Sequence, residues 1–269
     1  MKKHFKLGII GCGAMAQTIL KGVVLSDFLH EKKIIVSDSS EDKLAEVDFL
    51  GVRTTSDNRV VAENSEFLLL AIEPHKFDET VKSLNGFKPE KIISVIPDVK
   101  KNAIKNAFGI SAVKVARCLP NLPCAIGSGA IGIDMSDYNK STDDTEFISN
   151  VFNCLGTILS VDESKMDAVA GLSVNGSAYT FMFIDSLVDA GAKSGLTKNE
   201  AKILAIQTIL GAAEMAARDE QTLSELIMEA SKSGTGVEAV KLLEEKNFRG
   251  VISDVVSACV QRSKELSEK

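Results

Sequence analysis

A short apolar run, Lys6-Leu7-Gly8-Ile9-Ile10, passes without a spacer into Gly11-Cys12-Gly13-Ala14-Met15-Ala16. The run has the composition of a buried strand. The G-x-G-x-x-A pattern then opens a helix that extends to about Val24. A strand that turns so tightly into a helix is the first half of a βαβ unit and commits the chain to a parallel sheet. Gly11 permits the tight turn. Gly13 has no Cβ, so an anionic group can approach the backbone. Ala16 is small enough for the helix to lie close on the strand. Ala14 and Met15 belong to the first turn, whose unpaired N–H groups and partial positive charge suit a pyrophosphate. A second strand, Lys33 to Ser37, ends at Asp38. The pattern reads as a dinucleotide-binding turn, set against the plainer reading of a strand-turn-helix corner.

The alternation continues beyond this turn. Glu41 to Phe49 is helical, and Gly51 to Thr54 is a small strand or turn. Glu66 to Ile72 is nearly all apolar, as in a strand covered on both faces, and Pro74 breaks it. His75 to Leu84 is helical. Lys91 to Ile96 is a buried strand stopped by Pro97, and Asp98 to Phe108 is a helix. Val113 to Ala116, Gly127 to Ile133 and Gly156 to Val161 complete the strands, with a helix from Thr142 to Cys154. This order predicts a Rossmann-type, doubly wound parallel sheet, whose ligands bind beyond the carboxyl ends of the strands.

From Ser164 onward only helical periodicity remains. Lys165 to Ser194 reads as one long helix, apolar all round, and such a helix is expected to be buried on every side. The rest of the segment is too short to wrap it, so burial by a partner chain follows. Thr197-Lys198-Asn199-Glu200 is a capping box for a helix to Ala217. Thr222 to Glu225 starts a shorter helix, and Ser231 to Gly236 is a polar loop. Val237 to Lys246 and Gly250 to Leu266 are the last helices. The expected division is a dinucleotide-binding domain, 1–162, and an all-α dimerisation and substrate domain, 163–269.

Composition narrows the function. The chain has 269 residues, 45% of them hydrophobic, and a net charge of −6. Lys and Arg are scattered, so neither nucleic acid nor an anionic membrane is an expected partner. No apolar run approaches the roughly 18 residues of a membrane helix. The five cysteines are irregularly spaced, with no Cys/His metal pattern, so no metal is expected. Reduced thiols and no signal peptide point to a cytoplasmic protein.

Further segments add a resemblance. They are Ala71-Ile72-Glu73-Pro74, Arg117-Cys118-Leu119-Pro120-Asn121-Leu122-Pro123, Gly171-Leu172-Ser173-Val174-Asn175-Gly176-Ser177-Ala178-Tyr179 and Ser231-Lys232-Ser233-Gly234-Thr235-Gly236, with Leu243-Glu244 and Asn247-Phe248-Arg249 downstream. With the glycine turn they make the chain resemble the pyrroline-5-carboxylate reductases along essentially its whole length. The resemblance implies NADPH- or NADH-dependent reduction of a small cyclic imino acid, 1-pyrroline-5-carboxylate, to proline by a homodimer or higher homo-oligomer. It also implies an active site between the two domains. It places Asn58, Ala71, Ile72, Pro74, Pro120 and Asn121 beside the dinucleotide. The helix motif (Asn175, Gly176, Ser177) and the loop (Gly234, Thr235, Gly236) hold the substrate carboxylate and ring, with Thr235 as the candidate that orients the ring nitrogen.

This chain departs from the family pattern at several of these positions. Val174, Asn175 and Ser177 stand where the family has Gly, Ser and Pro. Gly236 stands at the position of a substrate-contacting Thr, with Thr235 one place earlier. Glu73 replaces a Lys, and Ile96-Pro97-Asp98-Val99 replaces a small-residue Ala-Ala-Gly turn. Two other readings therefore stand beside the reductase: a different cyclic imine on the same scaffold, or a non-catalytic dinucleotide-binding regulator. Single residues have alternatives too. Asp38 accepts from the adenosine ribose hydroxyls, favouring NAD, or caps the next helix. Ser39, Ser40 and Lys43 offer a 2′-phosphate site instead, favouring NADP. His75 reads as a surface residue. Arg117 binds an anion or pairs with a carboxylate. Tyr179, Phe181 and Phe183 read as core, and Asn175 as a buried amide facing a ligand.

Overall fold

In the computed structural model, which describes residues 3–109, 112–218 and 220–267, the chain divides into two compact units. The first holds residues 1–175 together with 259–269, and the second holds residues 176–258. The stretch 163–175 thus packs with the sheet, and the last turns of the final helix return to it.

The first unit is built on an eight-stranded sheet. Its strands are β1 (Phe5–Ile10), β2 (Ile34–Ser37), β3 (Arg53–Thr55), β4 (Ser65–Leu70), β5 (Lys91–Ser94), β6 (Lys114–Leu119), β7 (Gly129–Asp134) and β8 (Gly156–Ser160). Their order is β3-β2-β1-β4-β5-β6-β7-β8. Helices α1 (Ala14–Leu25), α2 (Glu41–Ala45), α3 (Asn58–Asn64), α4 (Phe77–Ser83), α5 (Lys101–Phe108) and α6 (Thr142–Asn153) connect them. Side chains alternate across β1 and β4, and both faces are covered. Leu7, Ile9, Phe67 and Leu69 join one core with Ile19, Val23 and Phe152, while Ile10, Leu68 and Leu70 join another with Val61, Phe77 and Ile104. Burial on both faces explains why these strands are continuous apolar runs.

One ladder departs from the expected parallel sheet. β6 and β7 are antiparallel, pairing Arg117 with Asp134 and Leu119 with Gly132. The connection, a short helical turn at Leu122–Ile126, lacks the length of a parallel crossover. The β7 and β8 pair is parallel again.

The long helix expected over Lys165 to Ser194 is in fact three pieces. α7 (Met166–Val169) gives way to a π-helical turn, Ala170–Val174, before α8 (Gly176–Lys193) begins. α8 opens the second unit. It packs on α9 (Lys198–Arg218), where Gly191 lets the helices close: a Cβ there would lie 2.9 Å from the Ala201 Cβ. α10 (Leu223–Ala230), α11 (Thr235–Glu245) and α12 (Phe248–Ser267) complete the chain. The expected capping box at Thr197 forms, and the structure adds a second at Thr222. Thr197 and Glu200 exchange bonds of 2.8 and 3.3 Å at the start of α9, and Thr222 and Glu225 do the same for α10.

Candidate functional site

The glycine turn forms as the spacing requires. Gly11 has φ +96°, and a Cβ on it would sit 2.3 Å from the Ala71 carbonyl oxygen, so only glycine fits between the ends of β1 and β4. Gly13 caps α1 with extended backbone, and nothing lies within 4 Å of where its Cβ would be. Ala16 is fully buried under the helix. The turn is braced from behind: Gln17 Nε2 donates to the Cys12 carbonyl oxygen at 3.1 Å and to Glu46 at 2.6 Å. The Cys12 thiol donates to the Lys43 carbonyl oxygen, and burial, with Asp38 and Glu46 nearby, pushes its pKa up to about 11. It is a neutral packing group.

A cleft of about 310 Å³ opens where β1, β2 and β4 end. Gly11, Asp38, Ser39, Asn58 and Ile72 line it, as the sequence implies, and so do Ser56, Lys76, Glu79, Thr80 and Ser83. Asp38 is fixed from both sides. The Cys12 N–H donates to its Oδ2 at 2.8 Å and the Ser40 N–H to its Oδ1 at 2.9 Å. Ser40, not Asp38, caps α2, by accepting from the Lys43 N–H. Asn58 spans the cleft wall: its Oδ1 accepts from Ser37 Oγ at 2.8 Å, and its Nδ2 donates to Ser83 Oγ at 3.0 Å. The open backbone at Gly13, the start of α1 and a carboxylate at the end of β2 fit a dinucleotide. Ala71 donates its N–H to the Ile10 carbonyl oxygen, and Pro74 starts a short helical turn beyond it. His75 is exposed and paired with Glu73, as expected of a surface residue.

Pro120 and Asn121 follow β6. Asn121 is buried, and its amide is engaged by protein: Oδ1 accepts from the Ala130 N–H at 3.0 Å, and Nδ2 donates to the Ser173 carbonyl oxygen at 3.3 Å. Ser173 Oγ bonds in turn to the Ala130 carbonyl oxygen. The side chain therefore ties the end of β6 to β7 and to the π-helical turn. In that turn the Asn175 N–H and Nδ2 both donate to the Ala170 carbonyl oxygen at 3.0 Å. Such turns recur at functional sites. Asn175 is exposed in the single chain, where the sequence reads as a buried amide. Tyr179 is half-buried, whereas Phe181 and Phe183 are exposed in the single chain, on the helix expected to be covered by a partner, and Phe183 lies against Phe248.

In the second unit Gly176 is buried beneath Tyr179, whose hydroxyl would lie 3.2 Å from an added Cβ, and Ser177 is half-buried in the first turn of α8. Gly234 takes φ +72° and caps α11, where Thr235 and Gly236 make the first turn; no described side chain caps this end. A Cβ at Gly236 would meet the Ala230 carbonyl oxygen at 2.9 Å, so the tight turn between α10 and α11 requires a glycine there.

Arg117 resolves toward pairing. It is 1% exposed, and its Nη1 lies 3.6 Å from Glu163 Oε1, which also accepts the Lys101 N–H at 2.7 Å. Nearby, Asp98 sits at φ +62° in the departed turn. Burial raises its carboxyl pKa, with Arg117 opposing. Ser263 in the last turns of α12 donates to Asp167 at 2.8 Å and to Asp98 at 3.4 Å.

Comparison with known proteins fits these two parts. A family model described as pyrroline-5-carboxylate reductase dimerisation matches residues 163–266, and one described as NADP oxidoreductase, coenzyme F420-dependent, matches residues 6–98. The pyrroline-5-carboxylate reductase of Methanosarcina acetivorans is 32% identical over 98% of this chain and 98% of its own length. The chain belongs to the pyrroline-5-carboxylate reductase family. The solved reductase of Coxiella burnetii is 32% identical with a TM-score of 0.89, covering 99% of this chain and all of that one. The Plasmodium falciparum enzyme, solved with NADP bound, shares the fold at 24% identity and a TM-score of 0.87, over 99% of this chain and all of its own. The cleft also draws on residues outside every motif: Ser56 just after β3, Lys76 just before α4, and Glu79, Thr80 and Ser83 of α4. Among the described residues no helix is long and apolar enough to cross a membrane.

Proposed function

We propose that the protein reduces 1-pyrroline-5-carboxylate to L-proline with NADH or NADPH, as a cytoplasmic homodimer or larger homo-oligomer. The match to the Methanosarcina acetivorans reductase over 98% of both chains carries the reading, and the open glycine turn above the cleft supports it. A bound reduced nicotinamide supplies a hydride to the imine carbon. The protein's task is placement. The N–H groups of Gly13, Ala14, Met15 and Ala16 face the pyrophosphate at the start of α1. Asp38, Ser39 and Asn58 hold the adenosine end, and Ala71, Ile72, Pro74, Pro120 and Asn121 flank the rest.

The substrate carboxylate suits the uncapped first turn of α11, where the N–H groups of Thr235 and Gly236 have no partner within the helix. Thr235 Oγ orients the ring nitrogen, with Asn175, Gly176 and Ser177 beside the ring. A protonated imine is already electrophilic, so no strong acid is required. In this reading residues 163–269 form the substrate and dimerisation domain, although 163–175 pack with the sheet.

The departures at Val174, Asn175, Ser177 and Gly236 favour, as a second reading, another cyclic imine. Steady-state turnover of pyrroline-5-carboxylate against a six-membered imino acid decides between them. The five-membered ring is expected to win on kcat/KM; the reverse ranking would install the second reading. Thr235→Val is expected to lower kcat/KM by roughly tenfold to a hundredfold, the worth of a hydrogen bond to a charged group.

A further inference from the structure

We infer that the cleft discriminates between the two coenzymes, preferring NADH over NADPH, with Asp38 as the specificity-determining residue. The inference rests on the coenzyme-dependent reading above and adds which adenosine ribose the chain accepts.

The first support is the fixing of the carboxylate. Both oxygens of Asp38 accept backbone N–H groups, from Cys12 at 2.8 Å and from Ser40 at 2.9 Å. One donor lies in the glycine turn and the other at the entry to α2. Swinging the side chain aside to admit a phosphate breaks both bonds. Each oxygen keeps a further lone pair, which is what a ribose diol with two hydroxyl donors requires. A 2′-phosphate brings about −1.5 to −2 charge and acceptor oxygens, facing a carboxylate that has no proton to offer.

The second support is the charge around it. The charged residues that line the cleft are Asp38, Glu79 and Lys76, two carboxylates against one ammonium. Among the described lining residues there is no arginine, the side chain whose fork suits a phosphate. Lys76 and Glu79 are both exposed, so water and salt screen the one favourable charge. Ser39 and Ser56 are neutral donors that serve a hydroxyl as well as a phosphate. Ser40 and Lys43, the remaining candidates for a phosphate, are outside the lining, and the Ser40 hydroxyl is engaged as the cap of α2.

The test is a set of calorimetric titrations of the purified full-length protein at physiological salt. The probes are NADH, NADPH, AMP and adenosine 2′,5′-bisphosphate. The last two lack the nicotinamide and report the adenosine end without any turnover. NADH is expected to bind at least roughly tenfold more tightly than NADPH, and AMP more tightly than the bisphosphate, as befits loss of one or two charge-assisted hydrogen bonds. Asp38→Asn keeps an acceptor and removes the charge; Asp38→Ala removes both. With thermal melts confirming folded protein, each is expected to weaken NADH and strengthen NADPH, narrowing the ratio several-fold. Equal or tighter binding of NADPH by the unaltered protein, with the bisphosphate favoured over AMP, overturns the preference and leaves the coenzyme reading in place. An unchanged ratio in both variants also overturns the assignment to Asp38. Failure of all four probes to bind overturns the preference and the coenzyme reading together.

Discussion

The sheet unit and the helical unit put a similar fraction of apolar residues to opposite ends. In the sheet unit Leu7, Ile9, Phe67 and Phe152 are completely enclosed, and both faces of the strands are covered by the chain's own helices. In the helical unit Phe181 is 54%, Met182 73% and Leu204 56% exposed. Among the described residues of that unit only Gly176, Ala201 and Ala205 are buried along its helices. The difference is one of completeness. A sheet with helices on both sides closes its core within one chain, whereas helices that leave large apolar side chains open need a second copy. The match of residues 163–266 to a dimerisation model agrees with this division.

The widest gap between the two units should appear on truncating aromatic rings. Phe67 stacks on Phe147 at 4.4 Å and near Tyr138 at 6.4 Å. Phe67→Ala is expected to cost about 3–5 kcal/mol in urea unfolding. Phe181→Ala, measured on dissociated chains, should cost no more than about 0.5 kcal/mol. Equal costs would mean that the helical unit closes its own core.

Next in size is the buried ion group of the sheet unit. Lys101, nearly sealed from solvent, lies 3.1 Å from Asp134 and 3.3 Å from Asp137, and donates to Ser136 at 2.6 Å. Lys101→Ala leaves the buried Asp134 carboxylate without its lysine, while Asp137 keeps Lys105 at 2.7 Å, with an expected loss of about 3 kcal/mol. A surface pair of the helical unit, Arg249 with Glu244, should lose less than about 1 kcal/mol on Arg249→Ala.

Smaller per chain is the effect of placing charge on the open helix faces. The double change Met182→Glu and Leu204→Glu should shift sedimentation toward single chains, since each buried apolar side chain contributes roughly 1.5–3 kcal/mol. The sheet unit should keep its melting transition. An unshifted oligomer would place the interface elsewhere.

The smallest effect concerns acid. For Glu66, Asp134, Asp137 and Asp144 burial pushes the carboxyl pKa up, but hydrogen bonds and lysine partners outweigh it, so the net shift is downward. Their contribution is present above the unfolded value of about 4 and is lost as pH falls through the folded values. Asp98 is shifted upward, chiefly by burial. Its protonated form favours folding, and that contribution is lost as pH rises from about 4 through the folded value. Urea midpoints should therefore fall between pH 5 and pH 3. Asp98→Asn should flatten the opposing slope by a fraction of the whole. In the helical unit the lowered groups, Glu200 and Glu225, are fully exposed caps, so no comparable acid loss is expected from it.

Much of this was legible in the residues. The glycine turn, the start of α1 and the capping box at Thr197 are local devices, and they form where the spacing puts them. What was hidden depends on distant segments meeting. The apolar run of β7 reads the same in either direction; only the short turn before it fixes the antiparallel pairing. The π turn at Ala170–Val174 inserts one residue into a helix whose periodicity is too apolar to reveal the slip. Asn121 carries a motif position, yet its amide clamps Ala130 and Ser173, which no spacing announces. Ser56, Lys76, Glu79, Thr80 and Ser83 reach the cleft because β3 and α4 end beside it.

The most direct measurement follows the hydrogen itself. Purified protein is given 1-pyrroline-5-carboxylate and reduced coenzyme carrying deuterium at the transferable nicotinamide position, and the product is analysed by mass spectrometry. L-proline carrying a single deuterium is expected, formed in step with coenzyme oxidation. Bound coenzyme with no labelled proline would contradict reduction by direct hydride transfer.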